Sequence, residues 1–536
     1  MKLHVDYCLY LVTDSTDAIL HGRDLCDVVK EALLGGVTVV QYRDKTSDTA
    51  TLIAAAKKLN LICEEKGVRL LINDRVDVAL AVGCAGVHIG QDDMDVQTAR
   101  QLLGKDKIIG ATVSSKEEAL EAARAGADYL GIGTIFATPT KKDTKSIISL
   151  SGLRDILHFL GNHPHQDCQN VSTVCIGGIN ASNVQNVIYQ SYAPLIGQKP
   201  PKKLDGVAVV SAIMGAEDPR KAAEYLYSLI TGSPVFTSFQ PPPNIADWPK
   251  AERVKELLDS VPKIIKKVSE VNPLCHNMTN LVVQNIAANV ALSIGASPIM
   301  SDSGDEAGDL AKLGGGLVIN MGTATHAGIQ NYLVALRAYN LQGGPVVLDP
   351  VGAGATAQRR AAMTSLMEGG YFDLIKGNEK EILAVSGAGG TKQRGVDSGT
   401  SEMSLHEKAF LVAKLATQER NIVLMTGKID FLSDGVRTYT IRNGHRYLSM
   451  ITGSGCTLGT TVAAFMAAHL EDKLLAALAG ILLFEIAAER AAVRLDVKGP
   501  GTFVPAWLDE LYISRMEVLN DNLEWLGAAD VLPCVT

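Results

Sequence analysis

The sequence predicts an α/β protein with two domains, a parallel (β/α)₈ barrel followed by a doubly wound α/β domain. The chain has 536 residues, more than a single hydrophobic core usually supports. Eight short apolar runs alternate with helical stretches up to about residue 230, and a proline-rich segment separates them from a second set of strands with different spacing. We therefore expect the barrel over residues 1–232, a linker over 233–250 and the second domain over 251–536.

Composition and charge narrow the classes of function. The chain is 47% hydrophobic and 20% charged, which is typical of globular proteins, and its net charge of -8 comes without long runs of like charge. We therefore do not expect a nucleic-acid arm or a membrane-surface helix. We expect small-molecule partners instead. Nine cysteines without CxxC pairs indicate reduced thiols and a cytoplasmic location. The apolar stretch 461–493 is interrupted by charged residues and predicts buried helices rather than a membrane span.

Each strand of the first domain is a continuous apolar run followed by an amphipathic stretch, such as residues 48–67. Strands that helices cover on both faces have this pattern, and eight of them in sequence predict a TIM barrel with its active site at the carboxyl ends of the strands. The runs are CLYLVT, VTVVQYR, RLLIND, GVHIG, IIGATV, YLGIG, TVCIGG and GVAVVS.

Cationic and amide side chains end the second of these strands. In QYRDK, Gln41, Arg43 and Lys45 occupy alternating positions, so they share one face of the strand. That arrangement suits a polyphosphate. A solvated, charged strand end has the same pattern, and the motif alone leaves both interpretations open.

Carboxylates follow the third and fourth strands. Asn73 and Asp74 end the third, and Asp93 follows the fourth in HIGQDD. Two carboxylates beside phosphate-binding cations are a suitable Mg²⁺ site, because Mg²⁺ takes a few carboxylates together with substrate phosphates. Asp also commonly caps the following helix, but the neighbouring cations favour the metal.

Loops after the last three strands indicate a phosphate. GTIFATPTKKDT is rich in hydroxyls and lysines, CIGGIN carries glycines at 177 and 178, and VVSAI follows the eighth strand. Loops after the last two barrel strands often bind a phosphate through backbone N–H groups, which glycine allows to approach closely. The pattern does not name a substrate.

Taken in order, QYRDK, NDRVDVA, GVHIGQDD, the TPTKKDT loop and IGGIN resemble thiamine-phosphate synthase over residues 1–230. The resemblance implies that a thiazole nitrogen displaces pyrophosphate from a pyrimidine methylene, with Mg²⁺ on Asp74 and Asp93. Members of that family often have Ser at the position of Thr112, which keeps the hydroxyl. The implied contacts to the pyrimidine diphosphate are Gln41, Arg43, Lys45, Asn73, Thr112 and Lys141, and those to the thiazole phosphate are Thr138, Thr140, Gly178, Val210 and Ser211.

The second domain has the strands GLVIN, PVVLDP, FDLIKGN and NIVLMTG, separated by helices, and ligands are expected beyond their carboxyl ends. Its strongest local signal is ITGSGCTLGT, a glycine turn that leads into a helix. The free N–H groups of such a helix start form an anion hole for a phosphoryl group in transfer. Cys456 lies at its mouth, either as a base toward a hydroxyl or as a small buried cysteine in the turn.

Further charged residues stand at strand ends of this domain. Asp349 ends one strand, Lys376 lies in the next, and Glu381 follows one turn into a helix. Such a set could hold Mg²⁺ and ATP phosphates beside the anion hole, although acidic residues at helix starts also complement the helix dipole. Neither Walker motif is present, so the nucleotide requires another phosphate-binding scheme, with Thr426 as a further strand-end candidate.

The segments HNMTN, GASPIMSD, LDPVGAGAT, KGNEKEI, TGSGC and GPGTF resemble hydroxyethylthiazole kinase, of the ribokinase-like group, over roughly residues 255–525. The resemblance implies ATP as co-substrate and a site between subunits, hence a homo-oligomer built on kinase-domain trimers. Relatives often place Arg at the position of Lys376. The implied roles are thiazole alcohol binding for Met300 and Gly453, ATP binding for Lys376 and Thr426, Mg²⁺ binding for Asp349 and Glu381, and catalytic base for Cys456.

These patterns favour a bifunctional enzyme of thiamine assembly. In a second hypothesis, one domain is an inactive scaffold or a sensor of thiamine. The acidic and cationic residues at both predicted sites argue against this hypothesis. A third gives the kinase a different alcohol, such as the hydroxymethylpyrimidine, because one fold serves many substrates. Met300 and Cys456 favour the thiazole.

Overall fold

The computed structural model describes residues 5–138, 146–194, 200–236, 251–323, 325–387 and 403–534, with side chains from 254 onward in the fourth stretch. The chain forms two compact units, Met1–Pro234 and Val235–Thr536. Across the described residues, no helix is long and apolar enough to cross a membrane.

The first unit is the closed parallel barrel that the sequence predicts, with each strand paired to its neighbour in chain order and the eighth paired to the first. Its strands are β1 (Leu9–Val12), β2 (Val39–Tyr42), β3 (Arg69–Asn73), β4 (Gly86–Ile89), β5 (Ile108–Val113), β6 (Tyr129–Gly133), β7 (Ser172–Ile176) and β8 (Gly206–Val209). Its helices are α1 (Asp17–Leu20), α2 (Leu25–Leu34), α3 (Thr49–Glu65), α4 (Val76–Val82), α5 (Val96–Leu103), α6 (Lys116–Arg124), α7 (Ser149–Asn162), α8 (Gln166–Asn170), α9 (Val184–Ser191), α10 (Ser211–Met214) and α11 (Pro219–Thr231).

Local sequence explains where the barrel helices begin and which face they bury. Asp48 accepts a hydrogen bond from the Thr51 N–H at the start of α3, and Leu52, Ala56 and Leu59 then recur at helical spacing on its buried face. The apolar strands and these helix faces form one continuous core around the barrel.

A layer of tyrosines fills the barrel interior. Tyr10 and Tyr129 are fully buried among apolar strand residues. Gly110 on β5 leaves room for one of these rings, since a Cβ there would lie 2.1 Å from Cζ of Tyr129. The interior is therefore solid below the carboxyl ends of the strands.

Within the described residues, the second unit has a nine-stranded sheet in the order β10-β9-β11-β12-β13-β14-β15-β16-β17. Its strands are β9 (Leu274–Met278), β10 (Ser297–Ile299), β11 (Gly316–Asn320), β12 (Val346–Asp349), β13 (Leu374–Asn378), β14 (Ile422–Thr426), β15 (Asp430–Ser433), β16 (Thr438–Ile441) and β17 (Val531–Pro533). Its helices are α12 (Ala251–Val271), α13 (Gln284–Ile294), α14 (Gly304–Lys312), α15 (His326–Gln342), α16 (Ala357–Gly369), α17 (Glu379–Val385), α18 (Leu405–Glu419), α19 (Ser454–Ala468), α20 (Lys473–Ala492) and α21 (Pro500–Leu519).

The strand order places a topological switch point between β9 and β11. The strands β9 to β14 are parallel, and β10 and β11 lie on opposite sides of β9. Helices cover both faces of the sheet, so the unit is doubly wound as the sequence predicts. Ligands bind at switch points, beyond the carboxyl ends of the strands. The antiparallel extension β15 to β17 was not predicted, and neither were β9 and β10.

The predicted linker does not separate the two units cleanly, because the second unit already begins at Val235. The Phe236 ring is buried and stacks on Tyr371 with 4.6 Å between ring centroids. Its carbonyl accepts a hydrogen bond from Nζ of Lys473 at 3.3 Å. Lys473 is itself buried and paired with Asp373 at 2.5 Å. The remaining linker residues, 237–250, lie outside the described part of the chain.

Candidate active sites

A cavity of about 770 Å³ opens at the carboxyl ends of the barrel strands. It gathers predicted residues from every part of the motif series, although Thr140 and Lys141 lie outside the described residues. The predicted residues that line the cavity are Gln41, Arg43, Lys45, Asn73, Asp74, Asp93, Thr112, Thr138, Gly178, Val210 and Ser211.

Cations and carboxylates meet at one side of this cavity. Nζ of Lys45 lies 3.3 Å from Oδ2 of Asp74, and the Arg43 guanidinium lies 3.7 Å from Oδ2 of Asp14. The Lys45 side chain remains 56% exposed, so its charge is available to an anion. Asp14, which is buried, was not predicted.

The two predicted metal ligands are close neighbours. Burial, together with the adjacent Asp93 carboxyl, raises the pKa of Asp74 to about 6. Asp74 also has a positive φ of 62°, a conformation that costs energy and is found often at functional sites. Neither carboxylate caps a helix, since Asp95 caps α5 and Arg75 precedes α4.

Paired carboxylate oxygens beside a phosphate-binding site fit a Mg²⁺ ion. In the described part of the chain, no three His, Cys, Asp or Glu side chains are grouped for a metal. Phosphate oxygens and water would therefore complete such a site.

Backbone geometry shapes the opposite side of the cavity. Gly177 and Gly178 have φ values of 111° and 66°. A Cβ at Gly177 would lie 2.4 Å from Cγ2 of Thr134, and one at Gly178 would lie 2.8 Å from Cβ of Phe136. Only glycine fits here, and the exposed backbone suits a phosphate.

A row of hydrogen-bonded side chains, which we name the polar relay, runs below the cavity. The Tyr10 hydroxyl donates to Oε1 of Gln41 at 2.8 Å and lies 2.6 Å from the Tyr129 hydroxyl. Nδ1 of His88 lies 2.8 Å from the Tyr129 hydroxyl. In order, its members are Asn73, Gln41, Tyr10, Tyr129, His88 and Thr112.

In the second unit, side chains at the switch point form a connected polar group. Nδ2 of Asn280 donates to Oδ1 of Asn320 at 3.1 Å and lies 3.6 Å from Sγ of Cys456. Nδ2 of Asn320 donates to Oδ2 of Asp349 at 2.8 Å. The structure thus links the predicted cysteine and aspartate through two asparagines that were not predicted.

Lys376 and Asp349 form a buried ion pair beside this group. Nζ of Lys376 lies 3.4 Å from Oδ1 of Asp349, and the side chains are 3% and 2% exposed. Burial lowers the pKa of Lys376, but the neighbouring groups of Asp349, Cys456 and Glu381 together keep that pKa above its usual value. A Cβ at Gly455 would lie 3.6 Å from Nζ, so the ammonium lies at the start of α19.

The start of α19 matches the predicted anion hole. Gly453 precedes it with a φ of 91°, and a Cβ there would lie 2.4 Å from Cγ1 of Val283. No described side chain caps this helix, which leaves its first N–H groups available. Burial, and secondly the Asp349 charge, raise the pKa of Cys456 to about 12. The thiol is therefore protonated at neutral pH.

Glu381 has a structural role that the sequence left as an alternative. It forms a capping box with Asn378 at the start of α17, and its Oε1 accepts from the Gly352 N–H at 2.9 Å. Met300 follows β10 and Thr426 ends β14, which places both at the same edge of the sheet.

Comparison with known proteins shows the family of this chain. The model of the "Thiamine monophosphate synthase" family matches residues 9–213, and that of the "Hydroxyethylthiazole kinase family" matches residues 265–517. The chain is 42% identical over 535 residues to the "Probable thiamine biosynthetic bifunctional enzyme" of Schizosaccharomyces pombe. The matched residues are 99% of this chain and 99% of that protein. The chain belongs to the thiamine biosynthetic bifunctional enzymes. The "Thiamine biosynthetic bifunctional enzyme" of Saccharomyces cerevisiae is 35% identical over 95% of this chain and 96% of its own.

This bifunctional enzyme has its thiamine-phosphate synthase domain in the barrel and its hydroxyethylthiazole kinase domain in the second unit. The residues that were not predicted had weak signals. His88 is a polar residue inside the apolar run GVHIG, and Asn320 ends the apolar run GLVIN. Tyr10 and Tyr129 had no signal that distinguishes them from core aromatics.

Proposed function

We propose that the two domains catalyse consecutive steps, in the reverse of their order along the chain. The kinase domain, which we assign to the ribokinase-like group, phosphorylates 4-methyl-5-(2-hydroxyethyl)thiazole with ATP. The barrel joins the product to 4-amino-2-methyl-5-(diphosphooxymethyl)pyrimidine and releases pyrophosphate. The observation that carries the proposal is the barrel cavity at the carboxyl ends of the strands, with charged groups on one side and the Gly177–Gly178 backbone on the other.

In the barrel, the carbon–oxygen bond to the diphosphate breaks and a bond from the thiazole nitrogen to the methylene carbon forms. The negative charge that develops on the leaving pyrophosphate faces Arg43 and Lys45, which supports leaving-group stabilisation as the main source of rate. Asp74 and Asp93 would hold Mg²⁺, which supplies further charge neutralisation at the diphosphate. Thr138, Gly178 and Ser211 would hold the thiazole phosphate.

In the kinase domain, the hydroxyl oxygen of the thiazole alcohol attacks the γ-phosphorus and the bond to ADP breaks. We assign Lys376, Thr426 and the start of α19 to the phosphates, and Met300 and Gly453 to the thiazole. Asp349 and Glu381 would hold Mg²⁺, which neutralises phosphate charge when bound. Burial and, secondly, the Asp349 charge raise the pKa of the Cys456 thiol, and neutralising the carboxylate would remove the second effect, which supports Cys456 as the proton acceptor.

We further propose a cytoplasmic homo-oligomer built on kinase-domain trimers. All nine cysteines are free, which fits a reducing compartment. The exposed side chains of Leu281 and Val282 directly follow Asn280. Apolar side chains next to a site support its completion by a second subunit.

Two substitutions test the assignment of one activity to each domain. Asp93→Asn should lower condensation by at least about 100-fold, and Cys456→Ala should lower phosphorylation of the thiazole by about 10- to 100-fold. Pyrophosphate release and ADP release measure the two activities in the full chain. Asp95→Asn and Cys534→Ala are matched controls outside both sites. Loss of both activities from either site variant would contradict independent sites.

The two alternatives have their own experiments. Expressing residues 1–234 and 235–536 separately tests the scaffold hypothesis, which a folded but inactive half would support. Competition between the thiazole alcohol and the hydroxymethylpyrimidine tests the substrate of the kinase. Faster turnover of the pyrimidine would overturn the thiazole assignment.

A further inference from the structure

The polar relay joins two separate parts of the barrel site through the protein interior. Its two tyrosines are fully buried, whereas Asn73 at one end and Thr112 at the other line the cavity. Nε2 of Gln41 donates to Oδ1 of Asn73 at 2.6 Å, and Nε2 of His88 lies 2.9 Å from Oγ1 of Thr112. Which group donates and which accepts at the Asn73 end therefore depends on which donates and which accepts at the Thr112 end.

Each member of the relay determines the role of the next, because a hydroxyl has one proton. Oε1 of Gln41 only accepts, so Tyr10 donates to it and must accept from Tyr129. Tyr129 in turn accepts from Nδ1 of His88. A neutral imidazole protonated on Nδ1 has an unprotonated Nε2, which accepts the Thr112 proton. Thr112 is left with only lone pairs for the cavity.

An anion at the other end favours this polarity. Oδ1 of Asn73 is occupied by Gln41, so its N–H groups are the ones available to a ligand. Asn73 lines the cavity together with Arg43 and Lys45. Oxygens of an ionised diphosphate only accept hydrogen bonds, so they match these N–H groups. The reverse polarity would turn the Asn73 oxygen toward the anion.

We propose that the polar relay makes Thr112 a hydrogen-bond acceptor and thereby selects a pyrimidine with an amino group over one with an oxo group at the same position. An amino N–H is a donor that meets the Thr112 lone pairs, whereas an oxo oxygen is repelled by them. His88, Tyr129 and Tyr10 are positioning residues that act through Thr112. The inference rests on the proposed condensation of an aminopyrimidine diphosphate.

Removing one hydroxyl from the relay should relax this selectivity. Tyr129→Phe removes the hydroxyl that favours the proton on Nδ1 of His88, so Nε2 can carry the proton instead and turn the Thr112 proton toward the ligand. In Tyr10→Phe, Tyr129 loses its acceptor and turns its proton to His88, with the same result. Tyr7→Phe is the matched control, because Tyr7 is buried with its ring 4.8 Å from that of Tyr129 but lies outside the relay.

The experiment compares the KM of the aminopyrimidine diphosphate with the Ki of its 4-oxo analogue in a pyrophosphate-release assay of the full chain. The wild type should favour the amino compound by at least about tenfold, and Tyr129→Phe and Tyr10→Phe should reduce that ratio about tenfold, while Tyr7→Phe keeps it. The KM of the thiazole phosphate should not change. A structural role alone would not alter the ratio between two ligands.

The outcomes separate the inference from the proposed function. Absence of pyrophosphate release by the wild type would overturn the condensation itself. Release by a wild type that binds both compounds equally would overturn the relay alone. Unchanged selectivity in either phenylalanine variant, provided that it folds, would also overturn the relay. If Tyr129→Phe does not fold, Tyr10→Phe provides the test.

Discussion

The two active sites hold their charges in different ways. In the barrel, the Lys45 and Asp74 side chains are 56% and 20% exposed. In the kinase domain, Lys376 and Asp349 are 3% and 2% exposed. An exposed pair contributes little to stability, whereas breaking a buried pair leaves an uncompensated charge in the interior. The Lys45 charge in the barrel therefore serves mainly the ligand, whereas the buried charges of the kinase pair serve both the ligand and the fold.

The strongest test of this contrast removes one cation from each pair. Lys376→Met should destabilise the kinase domain by about 3–5 kcal/mol, because Asp349 is left buried without its partner. Lys45→Met should change the stability of the barrel by about 0–1 kcal/mol while lowering condensation. Urea unfolding of the separate units measures both. Lys376→Arg is the control that keeps a cation, and equal losses in the two methionine variants would contradict the contrast.

A smaller effect is expected at the junction residue Phe236. Phe236→Ala should lower the free energy of unfolding of the kinase domain by about 3 kcal/mol, because its ring stacks on Tyr371 in a buried position. The barrel should be unaffected. Val235→Ala is the neighbouring control, since that side chain is exposed. The same loss in both variants would show that the ring contact does not carry the effect.

The smallest effect concerns the barrel carboxylates and depends on pH. The folded barrel raises the pKa of Asp74 to about 6, above that of the unfolded chain, so it binds this proton more tightly. Stability in the absence of metal should therefore fall by about 1–2 kcal/mol between pH 4 and pH 6 and then level off with respect to this group. Urea midpoints across this range measure the change. Asp74→Asn should remove it, and persistence of the slope in that variant would assign it to other groups.

The sequence predicted the strands that consist of continuous apolar residues. Continuous apolar runs identified the barrel strands, because helices bury both faces of each. It did not predict β9, since LCHNM mixes buried polar residues into a strand, with His276 and Asn277 inside the core. The antiparallel strands β15 and β16 are only four residues each, and the partner of β16 on its other side, β17, lies about 90 residues further along the chain, which local patterns do not reveal.

The sequence likewise predicted some residues of the candidate sites and missed others. Strand-end motifs identified residues that line one cavity, because all parallel strands end at one edge. The segment QDDMD could not show which aspartate caps a helix, and the structure assigns that role to Asp95. The polar relay was not accessible to sequence, since the Tyr10–Tyr129 contact joins strands 119 residues apart.

The short strand β17 has a practical consequence for handling the protein. It pairs antiparallel with β16 and forms the outer edge of the sheet, with Pro533 at its end. Proline and shortness are two of the features by which natural sheets discourage other strands from joining. Trimming these three residues would expose the backbone of β16 as a template for self-association. An affinity handle is therefore better attached to the barrel end of the chain.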